Sequence, residues 1–308
     1  MQLATPEPNA AADWWWFGPG LVLVLVPIAA FVTRWGAVLA SHPAYVILLG
    51  VIAVLGLLLI WRGIGRKARR GTRSRVVTRI ALIVLAVSLG GLAWSLRPLG
   101  ATETAVTAMA DGPRVTVTQT STRISLVPTQ NPQPTELIFH PGGLVDPRAY
   151  ANILRPIAEA GYPVTIVKPP LGFAFLAQGS EAGFAASQAT VVGGHSLGGV
   201  AAAIDAGDDA GIDGLVLWAA LPAESIADRT DLAAISIYGS EDGLATPSEI
   251  AASMADLPPS TMFVEVTGAV HSQFGDYGDQ RGDGTPTISR DEAQAQIVAA
   301  TLELLDSL

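Results

Sequence analysis

A serine between two glycines is the first sign of chemistry in this sequence of 308 residues. An apolar, strand-forming run at residues 189–193 precedes it, and a helix-forming run at residues 200–204 follows it. The stretch itself reads Gly194-His195-Ser196-Leu197-Gly198. Glycines two positions before and after a serine let a strand and a helix approach closely around a tight turn, and the turn strains the serine and exposes its hydroxyl. The pattern therefore predicts Ser196 as a nucleophile at a strand-to-helix turn.

A serine hydroxyl is a weak nucleophile until a base takes its proton and an acid orients that base. The only histidine after Ser196 is His271, which follows a predicted strand ending at Val266. In sheets of this type the chain order is nucleophile, acid, base. The acid is expected after the preceding strand, where the strand-Gly-x-x-Asp spacing favours Asp242 and leaves Glu241 as the alternative.

Acyl transfer also requires N–H groups that donate to the developing oxyanion. One expected donor is the main-chain N–H of Leu197, the residue after the proposed nucleophile. The second should come from the loop after the strand ending at Phe139, and Pro141 in that loop has no N–H. Gly143 or Leu144 is therefore the predicted second donor.

Three aspartates follow His271 in a glycine-rich loop. Their spacing does not match the calcium-binding loop of an EF-hand. They are Asp276, Asp279 and Asp283. We interpret this loop as a polar brace for His271, and we expect no metal and no cofactor.

The elements around these residues alternate between strands and helices, which predicts an α/β fold with a mostly parallel sheet and helices on both faces. Two antiparallel strands are expected first, at residues 114–120 and 123–127. Further strands are predicted at residues 136–139, 163–167, 190–193, 214–218, 234–238 and 261–266. Helices are predicted at residues 148–160, after Ser196, at 247–255 and at 290–305.

Residues 1–97 differ in composition from the rest of the chain. They carry a formal charge of +8, whereas residues 98–308 carry −17. Three long uncharged runs predict transmembrane helices at about residues 14–32, 45–61 and 80–96. A basic loop joins the second and third runs and contains Arg62, Arg66, Lys67, Arg69, Arg70, Arg73, Arg75 and Arg79. By the positive-inside rule this loop is cytoplasmic, so the domain after the third helix is predicted to be extracytoplasmic.

The sequence thus predicts a membrane region at 1–97, a linker at 98–112 and a globular domain at 113–308. An acidic domain repels phosphate, which argues against a nucleic-acid partner. The chain has no cysteine, so disulfides, thiolate catalysis and cysteine-ligated zinc are excluded. The lipid bilayer is the partner expected for the membrane region.

Several motifs in this order resemble a bacterial α/β-hydrolase family related to dienelactone hydrolases. The resemblance covers about residues 113–306. The motifs are Gly193-Gly194-His195-Ser196-Leu197-Gly198-Gly199, Pro141-Gly142-Gly143 with Asp146-Pro147-Arg148-Ala149-Tyr150, Tyr238-Gly239-Ser240-Glu241-Asp242-Gly243, and His271-Ser272-Gln273-Phe274-Gly275-Asp276-Tyr277-Gly278. The resemblance implies an α/β-hydrolase fold, with Ser196 as nucleophile, Asp242 as acid and His271 as base. The dienelactone hydrolases themselves use a cysteine nucleophile, where this chain has serine.

The expected function is hydrolysis of a carboxylic ester, small or lipid-like, through an acyl-enzyme. The same residues would serve a thioesterase or an amidase. An alternative of another class is a catalytically idle binding or sensor module with a hydrolase-like domain. The sequence does not indicate an oligomeric state.

Overall fold

The computed structural model describes residues 14–64, 73–179 and 188–308. It contains two compact units. The first comprises Met1–Trp35 and Ala44–Arg97 and is described over residues 14–35, 44–64 and 73–97. The second comprises Gly36–Pro43 and Pro98–Leu308. Four residues of the basic loop lie outside the described residues, namely Arg66, Lys67, Arg69 and Arg70.

The first unit is built from three long apolar helices: α1 (Trp14–Thr33), α3 (Ala44–Gly63) and α4 (Arg73–Ser95). Each contains a stretch of 20 residues that is long and apolar enough to cross a membrane. Helices α1 and α3 pack closely, because a Cβ on Gly20 would lie 2.7 Å from the Gly56 carbonyl oxygen. The Tyr45 hydroxyl donates to the Ala93 carbonyl and links α3 to α4.

The third apolar stretch differs from its predicted bounds. The prediction placed it at residues 80–96, whereas α4 begins at Arg73 and its apolar part is Val76–Ser95. The prediction began after Arg79, the last arginine of the loop, whereas a helix and its apolar stretch can both include a single arginine.

A short helix, α2 (Trp35–Ala40), belongs to the second unit from Gly36 onward. Another short helix, α5 (Glu103–Thr107), lies in the segment predicted as a linker. Within the second unit, the Gln119 side-chain amide donates to the Ala40 carbonyl at 3.5 Å. A Cβ on Gly36 would lie 3.7 Å from an Arg148 guanidinium nitrogen.

The centre of the second unit is a sheet of eight strands in the described chain, in the order β1-β2-β4-β3-β5-β6-β7-β8. The pairs β1–β2 and β2–β4 are antiparallel and all other pairs are parallel. The strands are β1 (Val115–Gln119), β2 (Arg123–Pro128), β3 (Thr135–His140), β4 (Val164–Val167), β5 (Ala189–His195), β6 (Gly214–Trp218), β7 (Ala233–Gly239) and β8 (Met262–Val266). The predicted α/β class is thereby confirmed.

Helices cover both faces of this sheet, which explains why its central strands read as continuous apolar runs. On β6, Val216 and Trp218 belong to one core cluster, whereas Leu215 and Leu217 belong to the other. The longer helices of the unit are α6 (Ala151–Glu159), α7 (Leu197–Asp208), α8 (Pro247–Ser253) and α9 (Arg290–Leu305). Side chains of α6 and α9 fill the first cluster, and alanines of α7 fill the second.

Helices α8 and α9 each begin with a capping box. Thr246 and Glu249 form the box of α8, and Ser289 and Glu292 form that of α9. In each box the hydroxyl accepts from the third residue of the helix and the glutamate accepts from the cap residue. These caps fix where the loops after β7 and β8 end.

Candidate active site

The turn between β5 and α7 holds Ser196 in a strained conformation. Its φ is 54° and its ψ is −127°, a combination that non-glycine residues rarely adopt. The Ser196 N–H donates to the Trp218 carbonyl of the neighbouring strand at 3.0 Å. A Cβ on Gly194 would lie 2.3 Å from the Gly198 carbonyl carbon, so this position requires glycine. The strand-to-helix turn predicted from the G-x-S-x-G pattern is therefore present.

The carboxyl ends of β7 and β8 bring an acid and a histidine together. His271 Nδ1 lies 2.9 Å from Asp242 Oδ2, and both residues are buried. The other oxygen of this carboxylate accepts from the main-chain N–H groups of Leu244 and Ala245, each at 2.8 Å. These bonds fix the carboxylate in the orientation that meets the imidazole.

The neighbouring acid, Glu241, lies apart from this pair. Its side chain is exposed and accepts from the Ser240 hydroxyl at 3.2 Å. Of the two candidate acids, the structure thus brings Asp242 to His271.

The second ring nitrogen of His271 is available for chemistry. A donor bond from Nδ1 to the carboxylate leaves Nε2 as the acceptor of a neutral ring. His271 Nε2 is buried and has no hydrogen-bond partner among the described residues. Among the described residues, the Ser196 hydroxyl therefore makes no hydrogen bond to His271 Nε2. The arrangement can accept a proton at this nitrogen.

Asp283 holds the loop that carries His271. Its carboxylate accepts from the main-chain N–H of His271 at 3.0 Å and from that of Ser272 at 2.8 Å. Burial alone would raise the pKa of Asp283, but the hydrogen bonds from Ser272, Gly284 and His271 outweigh burial and lower it. Asp283 therefore braces the His271 loop in the way the sequence predicted.

The predicted oxyanion loop packs directly on the nucleophile turn. A Cβ on Gly198 would lie 2.1 Å from the His140 carbonyl oxygen, and one on Gly143 would lie 2.9 Å from a methyl group of Leu197. The Leu144 N–H already donates to the Gly172 carbonyl at 2.9 Å, whereas the N–H groups of Gly143 and Leu197 make no hydrogen bond within the described chain. Of the two candidate loop donors, Gly143 is the one whose N–H is available.

Three further polar residues are buried at the carboxyl ends of the strands. His140, at the end of β3, lies 3.7 Å from Asp205 of α7 through its Nε2 atom. Lys168 follows β4 and donates to the Thr120 carbonyl at 2.8 Å. His195, at the end of β5, lies 2.9 Å from the Tyr150 hydroxyl through Nδ1. Sequence reasoning assigned His195 and Tyr150 no role beyond their place in motifs, because their contact joins residues that are distant in the chain.

A mostly parallel sheet with a strained G-x-S-x-G serine and a buried His–Asp pair at its carboxyl edge defines an α/β hydrolase. The chain belongs to the α/β hydrolase family, which it matches over residues 136–295. No curated protein matches the chain.

Solved structures of similar proteins include a dienelactone hydrolase-like promiscuous phosphotriesterase, P91, from metagenomic libraries. It is 17% identical, and the match covers 60% of this chain and 92% of that one with a TM-score of 0.47. A candidate dienelactone hydrolase from Klebsiella pneumoniae is 14% identical, with coverages of 59% and 92% and a TM-score of 0.43. A protein called m3DLH is 18% identical, with coverages of 60% and 91% and a TM-score of 0.47.

Proposed function

We propose that this α/β hydrolase is a membrane-anchored serine enzyme that cleaves a carboxylic ester through an acyl-enzyme. Ser196 is the nucleophile, His271 the general base and Asp242 the acid that orients it. The observation that carries the proposal is the buried contact between His271 Nδ1 and Asp242 Oδ2, with His271 Nε2 left unpartnered among the described residues.

In the first half of the reaction, Ser196 Oγ attacks the ester carbonyl carbon and His271 Nε2 takes the hydroxyl proton. The carbonyl π electrons move to oxygen, and the N–H groups of Leu197 and Gly143 donate to the oxyanion. The intermediate then collapses, the bond to the alcohol oxygen breaks, and His271 returns its proton to the leaving alcohol. The acyl group remains on Ser196.

In the second half, water replaces the alcohol. His271 takes a proton from the water as its oxygen attacks the acyl carbon, and a second tetrahedral oxyanion forms. Collapse of this intermediate breaks the bond to Ser196 Oγ, which regains a proton from His271. The carboxylic acid leaves and the starting enzyme is restored.

Apolar side chains next to the proposed nucleophile and acid support an ester with an apolar portion. Leu197, the residue after Ser196, is 39% exposed, and Leu244, two residues after Asp242, is 37% exposed. Exposed leucines in such places would lose contact with water when an apolar acyl or alcohol group binds. A small or lipid-like ester is therefore the substrate class we propose.

We further propose that the three apolar helices anchor the chain in a membrane, with the catalytic unit on the extracytoplasmic side. The basic loop between the second and third helices supports this orientation, because loops rich in arginine and lysine stay in the cytoplasm. A single transmembrane helix, α4, then lies between this loop and Pro98, so the chain that follows Pro98 is on the opposite side of the membrane from the loop.

The full chain in membranes or mild detergent tests the proposal with a fluorophosphonate probe, which labels activated serines. We expect rapid labelling of the natural chain, none of Ser196→Ala, and labelling of His271→Ala slowed by about 10²- to 10⁴-fold. Ser260→Ala, which removes an exposed serine far along the chain, is the matched control and should label normally.

Acyl esters of increasing chain length, with the corresponding thioester and anilide, then identify the preferred bond. Preference for the ester supports the proposal, and preference for the thioester or the anilide replaces esterase with thioesterase or amidase. A folded natural chain that is neither labelled nor active would overturn the enzyme proposal and leave a binding or sensor module.

A further inference from the structure

A buried chain of hydrogen bonds joins the oxyanion loop to the nucleophile turn. The Gly142 N–H donates to the Tyr150 hydroxyl at 2.9 Å, and the same hydroxyl lies 2.9 Å from His195 Nδ1. Tyr150 is fully buried and His195 is 1% exposed. The Tyr150 hydroxyl thus contacts Gly142, which precedes the proposed donor Gly143, and His195, which precedes Ser196.

A main-chain N–H can only donate, so the Gly142 bond occupies one lone pair of the Tyr150 oxygen. The second bond joins the same hydroxyl to His195 Nδ1, with the hydroxyl as donor when the imidazole proton is on Nε2 and the imidazole as donor when it is on Nδ1. In both tautomers the hydroxyl bridges the loop and the turn. Burial lowers the pKa of His195 well below its ordinary value, and a protonated His271 would lower it further, so the His195 ring is neutral.

The surroundings of the link allow little movement. The Phe274 ring lies parallel to the His195 ring at 5.9 Å, and the Phe139 ring packs on Tyr150 at 5.1 Å. A Cβ on Gly142 would lie 2.9 Å from His195 Nδ1 and 3.0 Å from the Tyr150 oxygen. Glycine is therefore the residue that lets the loop reach the hydroxyl.

We infer that Tyr150 and His195 are positioning residues that hold the Gly142–Gly143 loop against the nucleophile turn, so that the N–H groups of Gly143 and Leu197 face one oxyanion. This inference rests on the proposed function. The two donors come from different segments of the chain, and the structure joins those segments through this hydroxyl. Loss of the link lets the loop drift, and a shift of about 1 Å at a reacting centre can cost about 10²-fold in rate.

Three substitutions test the link in the full chain in detergent. Tyr150→Phe removes the hydroxyl; His195→Asn keeps an acceptor at the position of Nδ1; His195→Gln places its amide nearer the position of Nε2. We expect kcat for an acyl ester to fall by about 10- to 100-fold in Tyr150→Phe and His195→Gln, with KM changed less than about threefold. His195→Asn should stay within about threefold of the natural chain.

The double variant of Tyr150→Phe and His195→Gln should lose no more activity than either single variant, because both remove the same link. Tyr277→Phe is the matched control: it removes another buried tyrosine hydroxyl, which donates to the Gln280 side chain, and it should leave kcat unchanged. Equal kcat values for His195→Asn and His195→Gln, or a natural kcat in Tyr150→Phe, would overturn the inference.

A second measurement separates this inference from the proposed function, because it needs no activity. Hydrogen exchange of the peptide containing Gly142 should speed up in Tyr150→Phe and His195→Gln but not in His195→Asn. Unchanged exchange in all three variants overturns the positioning role even where Ser196 is labelled. Absence of labelling in a natural chain whose exchange follows this pattern instead counts against the proposed function alone.

Discussion

Asp242 and His271 meet at 2.9 Å in a site where both side chains are almost fully buried. A carboxylate removed from water in this way is stable because every oxygen has a donor: Nδ1 of the imidazole for one, and the N–H groups of Leu244 and Ala245 for the other. The histidine is consequently held in one tautomer, with Nε2 directed to accept.

Replacing Asp242 with asparagine keeps the shape of this pair and removes its charge. We expect kcat at neutral pH to fall by about 10⁴-fold, the size of effect found when the acid of a serine protease triad is changed in this way. Esterase assays and fluorophosphonate labelling measure the loss. Glu241→Gln is the control, since that carboxylate is exposed, and equal losses in both variants would contradict the assignment of the acid.

Removing the carboxylate that holds the His271 loop should reduce stability in a pH-dependent way. Because the pKa of Asp283 lies below its ordinary value of 3.8, its stabilising effect is present above about pH 4 and is lost as the pH falls through the folded-state value. We expect Asp283→Asn to cost about 1–3 kcal/mol at pH 7. Thermal unfolding from pH 7 to pH 3 should show the two chains converging below about pH 4.

The control for that change is Asp279→Asn, which alters an exposed carboxylate of the same loop. Its unfolding curve should match that of the natural chain at every pH. A constant difference between Asp283→Asn and the natural chain down to pH 3 would show that the charge is not what stabilises the loop.

The contact between Gly198 and the loop after β3 predicts a large effect of a single methyl group. In Gly198→Ala the new Cβ would lie 2.1 Å from a main-chain oxygen that cannot move without the loop. We expect a loss of kcat of about 10²-fold or more, as for removal of one oxyanion donor. Gly207→Ala in the same helix, where the neighbour is a side-chain methyl group of Ile226, should retain activity.

Lys168 predicts a second pH dependence, in the alkaline range. Burial, assisted by Arg148 and opposed by Asp146, lowers the pKa of this lysine from 10.5 to about 8. Between these values the unfolded chain binds a proton that the folded chain has released, so stability rises with pH across this range. The unfolding midpoint of the natural chain should therefore rise relative to that of Lys168→Met between pH 8 and pH 10. Lys168→Arg stays charged and should show no such gain.

The proposed orientation in the membrane can be tested by cysteine labelling, because the chain has no cysteine of its own. A membrane-impermeant maleimide should label Ser260→Cys in intact cells, since this residue is exposed in the catalytic unit. It should label Gly71→Cys in the basic loop only after the membrane is permeabilised. The reverse pattern would place the catalytic unit in the cytoplasm.

Much of the fold could be predicted from the sequence because buried parallel strands and capped helices leave strong local patterns. The strand Gly214–Trp218 and the helix Arg290–Leu305 have the bounds expected from their residues. Helices α2 and α5 were not predicted, because six and five residues are too few to show a helical period.

The features of the site likewise divide into those that have a local sequence signal and those that do not. Ser196 and His271 have local signals, a glycine-flanked turn and a strand end, whereas the choice between Gly143 and Leu144 depends on a hydrogen bond to Gly172 that no local pattern indicates. The bond from Tyr150 to His195 likewise joins residues 45 positions apart. Contacts of this kind depend on how the strands are ordered in the sheet, and the sequence does not encode that order locally.

The catalytic unit is assembled from two separate pieces of chain, since Gly36–Pro43 belongs to it as well as Pro98–Leu308. A protease that cuts once after Arg97 would therefore separate Pro98–Leu308 from Gly36–Pro43 without cutting within either piece of the unit. If the three apolar helices anchor the chain as proposed, no single cleavage can shed the whole unit, because two of the anchoring helices, α3 and α4, lie between its two pieces of chain.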